Sequence, residues 1–250
     1  MKTLTAGAAL LGAALLGCAP PESAAPPKNV IVIGVDVSGS FRAAHYQDAI
    51  DFAAYYLYGH LNGLGGLRKP SAVFVGSVGG ELPDEVKSFH PIHDFEGKTV
   101  EQIRQDLQEW FPPTDRLTDY NSFFSRIATL VKRQNLVLAP LNIVVLSDGV
   151  PDVRSGRHRD SASAYAAIKV DELEFLSRNI TVRLLYPTPT VAVGWEKGVK
   201  RDRVRLWTLD AQVMGGWHAQ LASDRSPDAQ AKLWRWVDDN VDFRVRSSIL

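Results

Sequence analysis

Two short stretches, Val30 to Val35 and Leu141 to Leu146, are apolar almost without interruption. A strand with one wet face alternates apolar and polar residues, so a run like these fits a strand buried on both faces. Ala72 to Val78 and the β-branched run Ile180 to Tyr186 read as further strands. Between them lie segments with helical spacing. Ala44, Ile50, Ala54, Leu57 and Leu61 share a face within Phe41 to Leu61. Ile103, Leu107 and Trp110 do so within Thr99 to Trp110, and Phe123, Phe124, Ile127, Leu130 and Val131 within Ser122 to Arg133. Strands alternating with helices predict an α/β fold: a Rossmann-like, doubly wound, mostly parallel sheet with helices on both faces. Ligands in such sheets bind at the carboxyl ends of strands, where the strand order reverses.

A helix is expected over Ser161 to Arg178, and a loop from Pro187 to about Lys200. A helix over Asp202 to Met214 follows, carrying Trp207, then a turn at Gly215-Gly216 and a strand over Trp217 to Leu221. Ser226-Pro227 should open a helix, with Ser as N-cap and Pro at the first position. Phe243 to Arg246 is read as a short strand, and residues 81–97 as irregular.

The 250 residues carry no formal net charge, and no basic tract with interleaved aromatics argues for nucleic-acid binding. The N-terminus differs from the rest. Lys2 precedes the uncharged apolar run Ala6 to Leu16, the pattern of a secretory signal and too short for an ordinary membrane span. It ends in Leu15-Leu16-Gly17-Cys18, which resembles a bacterial lipobox. That resemblance implies a signal over residues 1–17, acylation of Cys18, and a lipid anchor in the cell envelope. With Ala19 next, it favours the outer membrane facing the periplasm. A plain signal peptide with an incidental cysteine is the alternative. Cys18 is the only cysteine, so no intramolecular disulfide can form. Residues 18–28 hold four prolines and read as a semi-rigid tether; the domain is expected over 29–250.

Asp36-Val37-Ser38-Gly39-Ser40 follows the first strand, and Ser147-Asp148-Gly149 follows the strand at Leu141. A carboxylate and two hydroxyls at alternate positions are hard oxygen donors, suited to Mg²⁺. Two strands each ending in an Asp suggest one shared site. This arrangement resembles the DxSxS signature of von Willebrand factor type A domains, which carry a metal-ion-dependent adhesion site. Thr118-Asp119-Tyr120 resembles the family's threonine segment, and Ser147-Asp148-Gly149 its second Asp segment. The resemblance spans about Val30 to Val245.

It implies that Ser38 and Ser40 bind Mg²⁺ directly, with Thr118 as a third hydroxyl in one liganded state. Asp36 and Asp148 would act directly or through water, leaving a position for a carboxylate of another envelope protein. Mn²⁺ or Ca²⁺ could stand for Mg²⁺. Ser122 and Thr114 are nearby alternatives to Thr118, and Asp119 is read as a helix cap.

Other features point to less. His90 and His93 lack the partners of a zinc site. Arg154 to Asp160 is a basic stretch close after Asp148. A Mg²⁺-dependent hydrolase of phosphatase type is the alternative function. However, Ser38 stands where such an enzyme has its acid and cannot serve as one near neutral pH. No Ser-His-Asp set or phosphate loop can be assigned. The chain is therefore read as a binding module and not an enzyme.

Overall fold

The computed structural model describes residues 29–80, 87–114, 117–151 and 162–243. Its centre is a six-stranded sheet in the order β4-β2-β1-β6-β7-β8. The strands are β1 (Val30–Val35), β2 (Ala72–Ser77), β4 (His90–Pro91), β6 (Leu141–Leu146), β7 (Ile180–Leu185) and β8 (Arg205–Leu209). All neighbours run parallel except β4, a two-residue antiparallel edge on β2. A separate two-stranded ribbon joins β3 (Gly79–Gly80) to β5 (Leu117–Thr118).

Alternate residues of β1 feed two different cores. Ile31, Ile33 and Val35 pack with α2 (Tyr46–Asn62), α3 (Val100–Trp110) and α9 (Ala231–Val237). Val30 and Val32 pack with α4 (Tyr120–Arg133) and α7 (Pro189–Gly198) on the other face. The period of two along a strand sends successive side chains to opposite faces, so a strand covered on both must be apolar throughout. Trp234 of α9 fits against α2 because position 59 is glycine: a Cβ there would lie 2.6 Å from the indole ring.

Local signals set several boundaries. Thr99 and Gln102 form a capping box at the start of α3, and α2 ends at Gly63 in the left-handed region (φ 64°). Asp119 caps α4 by accepting the Ser122 N–H, as expected.

The later elements depart from expectation, each for a visible reason. The helix expected over 161–178 is two short helices, α5 (Ala162–Ala166) and α6 (Asp171–Glu174). At the break the Asn121 side chain donates to the Ala167 carbonyl and accepts the Lys169 N–H, taking backbone groups that a helix would use. The loop expected after Pro187 is α7. Thr188 caps it by accepting the Val191 N–H, and Pro189 occupies its first turn.

The helix expected over 202–214 is instead strand β8 followed by α8 (Ala211–Met214). The buried Glu174 carboxylate accepts the N–H groups of Asp202, Arg203 and Val204, holding that stretch extended into the edge of β7. Trp207 therefore sits on a strand. The strand expected over 217–221 is a 3₁₀ turn, Gly215–Gln220. Ser226-Pro227 opens only a 3₁₀ turn, Pro227–Ala229, before α9. Residues 238–242 form a π turn, and Phe243 is in no strand; the rest of the strand expected there, residues 244–246, lies outside the described residues. Within the stretch read as irregular, β4 and a 3₁₀ turn at Ile92–Asp94 are ordered, and residues 81–86 lie outside the described residues. So do residues 1–28, with the expected signal, Cys18 and tether. Among the described residues no helix is long and apolar enough to cross a membrane.

At the amino ends of the strands a polar cavity of about 620 Å³ is lined by Asn29, His60, Arg183 and Asp242 among others. His60 Nδ1 faces the Arg68 carbonyl (3.1 Å) and Nε2 faces Asp242 Oδ2 (2.5 Å). Both ring nitrogens thus face acceptors; burial lowers the imidazole, but Asp242 and the Arg68 carbonyl raise it above its ordinary value. Tyr56 donates to the other Asp242 oxygen at 2.7 Å.

Candidate metal site

The chain leaves β1 toward β2 and leaves β6 toward β7, on the opposite side. The carboxyl ends of β1 and β6 therefore flank the reversal point of the sheet, where connections diverge and a crevice opens. Asp36 and Asp148 follow these two strands. The Asp36 N–H still donates to the Leu146 carbonyl (2.9 Å), so this residue is fixed by the ladder itself.

Asp36 is fully buried, and its carboxylate meets only neutral donors. Oδ1 accepts the Ser38 N–H at 2.9 Å and Oδ2 accepts the Ser147 hydroxyl at 2.5 Å. Burial pushes its carboxyl up from 3.8 to about 6; the Ser147 and Ser38 contacts pull against this, and the Asp148 charge adds to the rise. The two carboxylates are thus within electrostatic reach of each other. Asp148 is half-buried, with Oδ1 accepting the Val150 N–H at 3.0 Å.

Ser38 occupies the N-cap of α1 (Gly39–Ala44) but does not cap it. An N-cap serine ordinarily accepts an N–H of the first turn. Here the hydroxyl is buried and makes no well-formed hydrogen bond; its polar neighbour is the Asp36 carboxylate, whose charged form it favours. A buried polar atom left unpaired costs about 1–3 kcal/mol, so it calls for a cause. Ser40, the second residue of α1, is exposed. Thr118 is buried and comes to the same end of the sheet through the β3–β5 ribbon: it pairs with Gly79, just past the end of β2.

Two residues beneath the site, Ser147 and Tyr120, belong to it without being foreseen as ligands or supports. Ser147 spends its one proton on Asp36, so its oxygen accepts from Tyr120 (2.6 Å) and from the Gly149 N–H (3.0 Å). Burial keeps the Tyr120 phenol protonated, and the nearby Asp36 and Asp148 charges reinforce this. Tyr120 packs edge-on to Trp195 (4.8 Å between ring centres), whose Nε1 donates to the Gly149 carbonyl at 2.7 Å. Gly149 has φ 78°, and a Cβ there would lie 2.7 Å from Leu184 and 2.8 Å from Val191. The sequence signal for Ser147 is the apolar run before it, which places the next side chain at a strand end, pointing inward.

Among the described residues no three His, Cys, Asp or Glu side chains cluster as a metal site. Any ion held here would rest on two carboxylates and hydroxyls, a donor set for a hard cation such as Mg²⁺. The orphaned Ser38 hydroxyl beside a buried carboxylate with only neutral partners fits that demand. His90 stacks on Trp110 at 3.9 Å and contacts Asp94, while His93 contacts Glu96; they form no joint site. The basic stretch from Arg154 lies outside the described residues.

No family model matches the chain, and no curated protein matches it. Among solved structures it is similar to a pilus adhesin, SpaC from Lactobacillus rhamnosus GG, at 15% identity and a TM-score of 0.36. That alignment covers 50% of this chain and only 15% of the adhesin. It is similar to the SpRpn10 VWA domain at 10% identity and a TM-score of 0.40, over 81% of this chain and 93% of that one. Proximal thread matrix protein 1 from the mussel byssus aligns at 12% identity and a TM-score of 0.40, over 75% of this chain and 45% of that one. At this distance none of the three bears on what the chain binds.

Proposed function

We propose that this chain is a protein-binding module that holds an acidic residue of a partner through Mg²⁺, and that a lipid on Cys18 tethers it in the cell envelope. Ser38, Ser40 and Thr118 would offer hydroxyl ligands, and Asp36 and Asp148 would carry the countercharge, directly or through water. Mg²⁺ there would supply an electrophilic position for one partner carboxylate; Mn²⁺ and Ca²⁺ are the other candidates. Tyr120 and Ser147 would orient the Asp36 carboxylate from below. The observation that carries this reading is the buried Ser38 hydroxyl, which does not cap its own helix and makes no well-formed hydrogen bond beside Asp36. The reading is non-catalytic: Ser38 is no general acid, and the donors around Asp36 are neutral.

Calorimetry with Mg²⁺ on the full chain, on Asp36→Asn and on Ser38→Ala tests it. Both variants should keep their thermal transition and lose Mg²⁺ affinity, Ser38→Ala by at least about tenfold, the scale of one lost ligand of about 1.4 kcal/mol. Wild-type-like Mg²⁺ binding by Asp36→Asn would refute the site. Capture of an envelope protein that requires Mg²⁺, is released by EDTA and fails with Asp36→Asn would identify the partner.

A further inference from the structure

The loops that begin the strands carry a second surface, at the pole away from Asp36. Phe175 is 80% exposed and Leu138 76% exposed, with Val137 beside them at 43%. Their two loops are joined: the Leu138 N–H donates to the Leu176 carbonyl (2.7 Å), and the Ser177 hydroxyl to the Leu138 carbonyl (3.4 Å). Leu138 has φ 74°, a left-handed backbone that disfavours a bulky side chain by about 1–2 kcal/mol. Strain is thus spent on turning an apolar side chain outward into water.

The exposed charges nearest in sequence to this pair are basic, while the exposed acids Asp171 and Glu172 stand one helical turn before Phe175, at the start of α6. Lys132 and Arg133 end α4, and Arg178 follows Phe175; all three are exposed. The one acid between 132 and 140 or between 174 and 179 is Glu174, which is buried and occupied by three backbone N–H groups. The chain also enters the domain here. Val30 N–H donates to the Pro140 carbonyl (2.9 Å), and the Asn142 side chain bonds that of Asn29 (3.1 Å). Residue 29 therefore lies beside the loop that presents Leu138.

We propose that this pole is a lipid-facing surface, with Leu138 and Phe175 entering the interfacial zone of a bilayer and Lys132, Arg133 and Arg178 meeting anionic phospholipid headgroups. Exposed apolar side chains ringed by Lys and Arg are what an anionic membrane surface takes. The orientation rests on the lipid-anchor reading of Cys18. Ten proline-rich residues at polyproline spacing span about 30 Å, and they join the domain at this pole, which favours its approach to the membrane. The surface itself rests only on the side chains named.

The test uses the full chain reconstituted in vesicles of phosphatidylethanolamine and phosphatidylglycerol, after mass spectrometry of Cys18. An acylated Cys18 leaves no free thiol, so a cysteine placed at Leu138, Phe175 or, on the far pole, Gln212 takes a polarity-sensitive fluorophore alone. The labels at 138 and 175 should shift to the blue and be quenched by spin-labelled lipid, and the label at 212 should do neither. Three labels reporting water alike would overturn the proposal. So would shielding of 138 and 175 that persists in lipid-free detergent with a doubled mass, which would mark a contact between two copies.

If Cys18 proves unmodified, the anchor reading fails by itself. Cys18→Ser is then placed behind the labels, and the same protein is added to vesicles from solution. A blue shift at 138 and 175, with vesicle affinity weakening about fivefold for each of Lys132→Gln and Arg133→Gln, keeps the lipid surface; no shift overturns it.

Discussion

Asp36 and Asp242 are both largely buried aspartates, at opposite ends of the same sheet, and burial pushes both carboxyls up. Asp36 ends near 6, because its partners are the neutral Ser147 and Ser38 groups. Asp242 ends below its ordinary value, because the His60 charge and hydrogen bond, the Tyr56 hydroxyl and Arg183 outweigh burial. His60 is raised in return: burial lowers it, and Asp242 and the Arg68 carbonyl more than reverse this. The contrast separates two uses of a buried charge. Paired with charge, it fastens the π turn at 238–242 to α2. Served only by dipoles, it is left wanting a cation or a proton.

The sharpest break between the two is Asp242→Asn. Removing one member of a buried ion pair strands the other and costs about 3–5 kcal/mol. Urea unfolding at about pH 7 should show that loss, whereas Asp36→Asn without Mg²⁺ should be no less stable than wild type, since the amide carries no charge for burial to penalise. Equal losses would erase the distinction.

The next largest effect is in pH. Asp36 is raised in the folded state, so its contribution to stability is full below about 3.8 and is lost as pH rises through about 6. That swing is on the order of 3 kcal/mol. Subtracting the Asp36→Asn pH profile from the metal-free wild-type profile should isolate it. Saturating Mg²⁺ should shrink it, so the Mg²⁺-induced gain in thermal stability should grow between pH 5 and pH 7. Asp242 runs the other way: lowered in the folded state, it contributes stability above the ordinary carboxylate range and loses it as pH falls. A flat difference profile for Asp36 would mean that a neighbour already neutralises it.

The smallest effect expected is Tyr120→Phe. It removes one donor to Ser147 and should cost about 1 kcal/mol in unfolding. Mg²⁺ affinity should fall only a few-fold, since the ligands themselves stay.

The legible parts of the fold are those with one physical determinant. Strands β1, β2, β6 and β7 are buried on both faces, and a short unbroken apolar run between polar turns suits little besides such a strand. The edge strand β8 is hidden because half of it faces outward. Arg205, Leu206, Trp207 and Thr208 are only partly buried, and their spacing suits a helix as well. What decides the matter is Glu174, thirty residues earlier, which claims the N–H groups leading into the strand. The break at 167–170 likewise depends on Asn121, in another helix. Helix α7 is a different case. Thr188-Pro189 is the same kind of cap-and-proline pair as Ser226-Pro227, but a second proline at 187 gives the stretch the look of a loop. At the site, Asp36, Ser38, Thr118 and Asp148 are legible as a pattern at strand ends. The supporting Tyr120–Ser147 pair is not, since 27 residues separate the two and only the packed fold makes them neighbours.

The six residues of β1 join the two poles of the molecule, about 20 Å apart at 3.3 Å per residue. Its rungs to β2 and to β6 each run its full length. A pull between a tether at Asn29 and a partner gripped beside Asp36 would be directed along this strand. The load borne at Asp36 would pass as tension through the covalent backbone of β1, and only the share borne by Asp148 would cross the β1–β6 ladder, loading its rungs together in shear. The central strand would serve as a tie rod, with the rest of the domain as its sleeve.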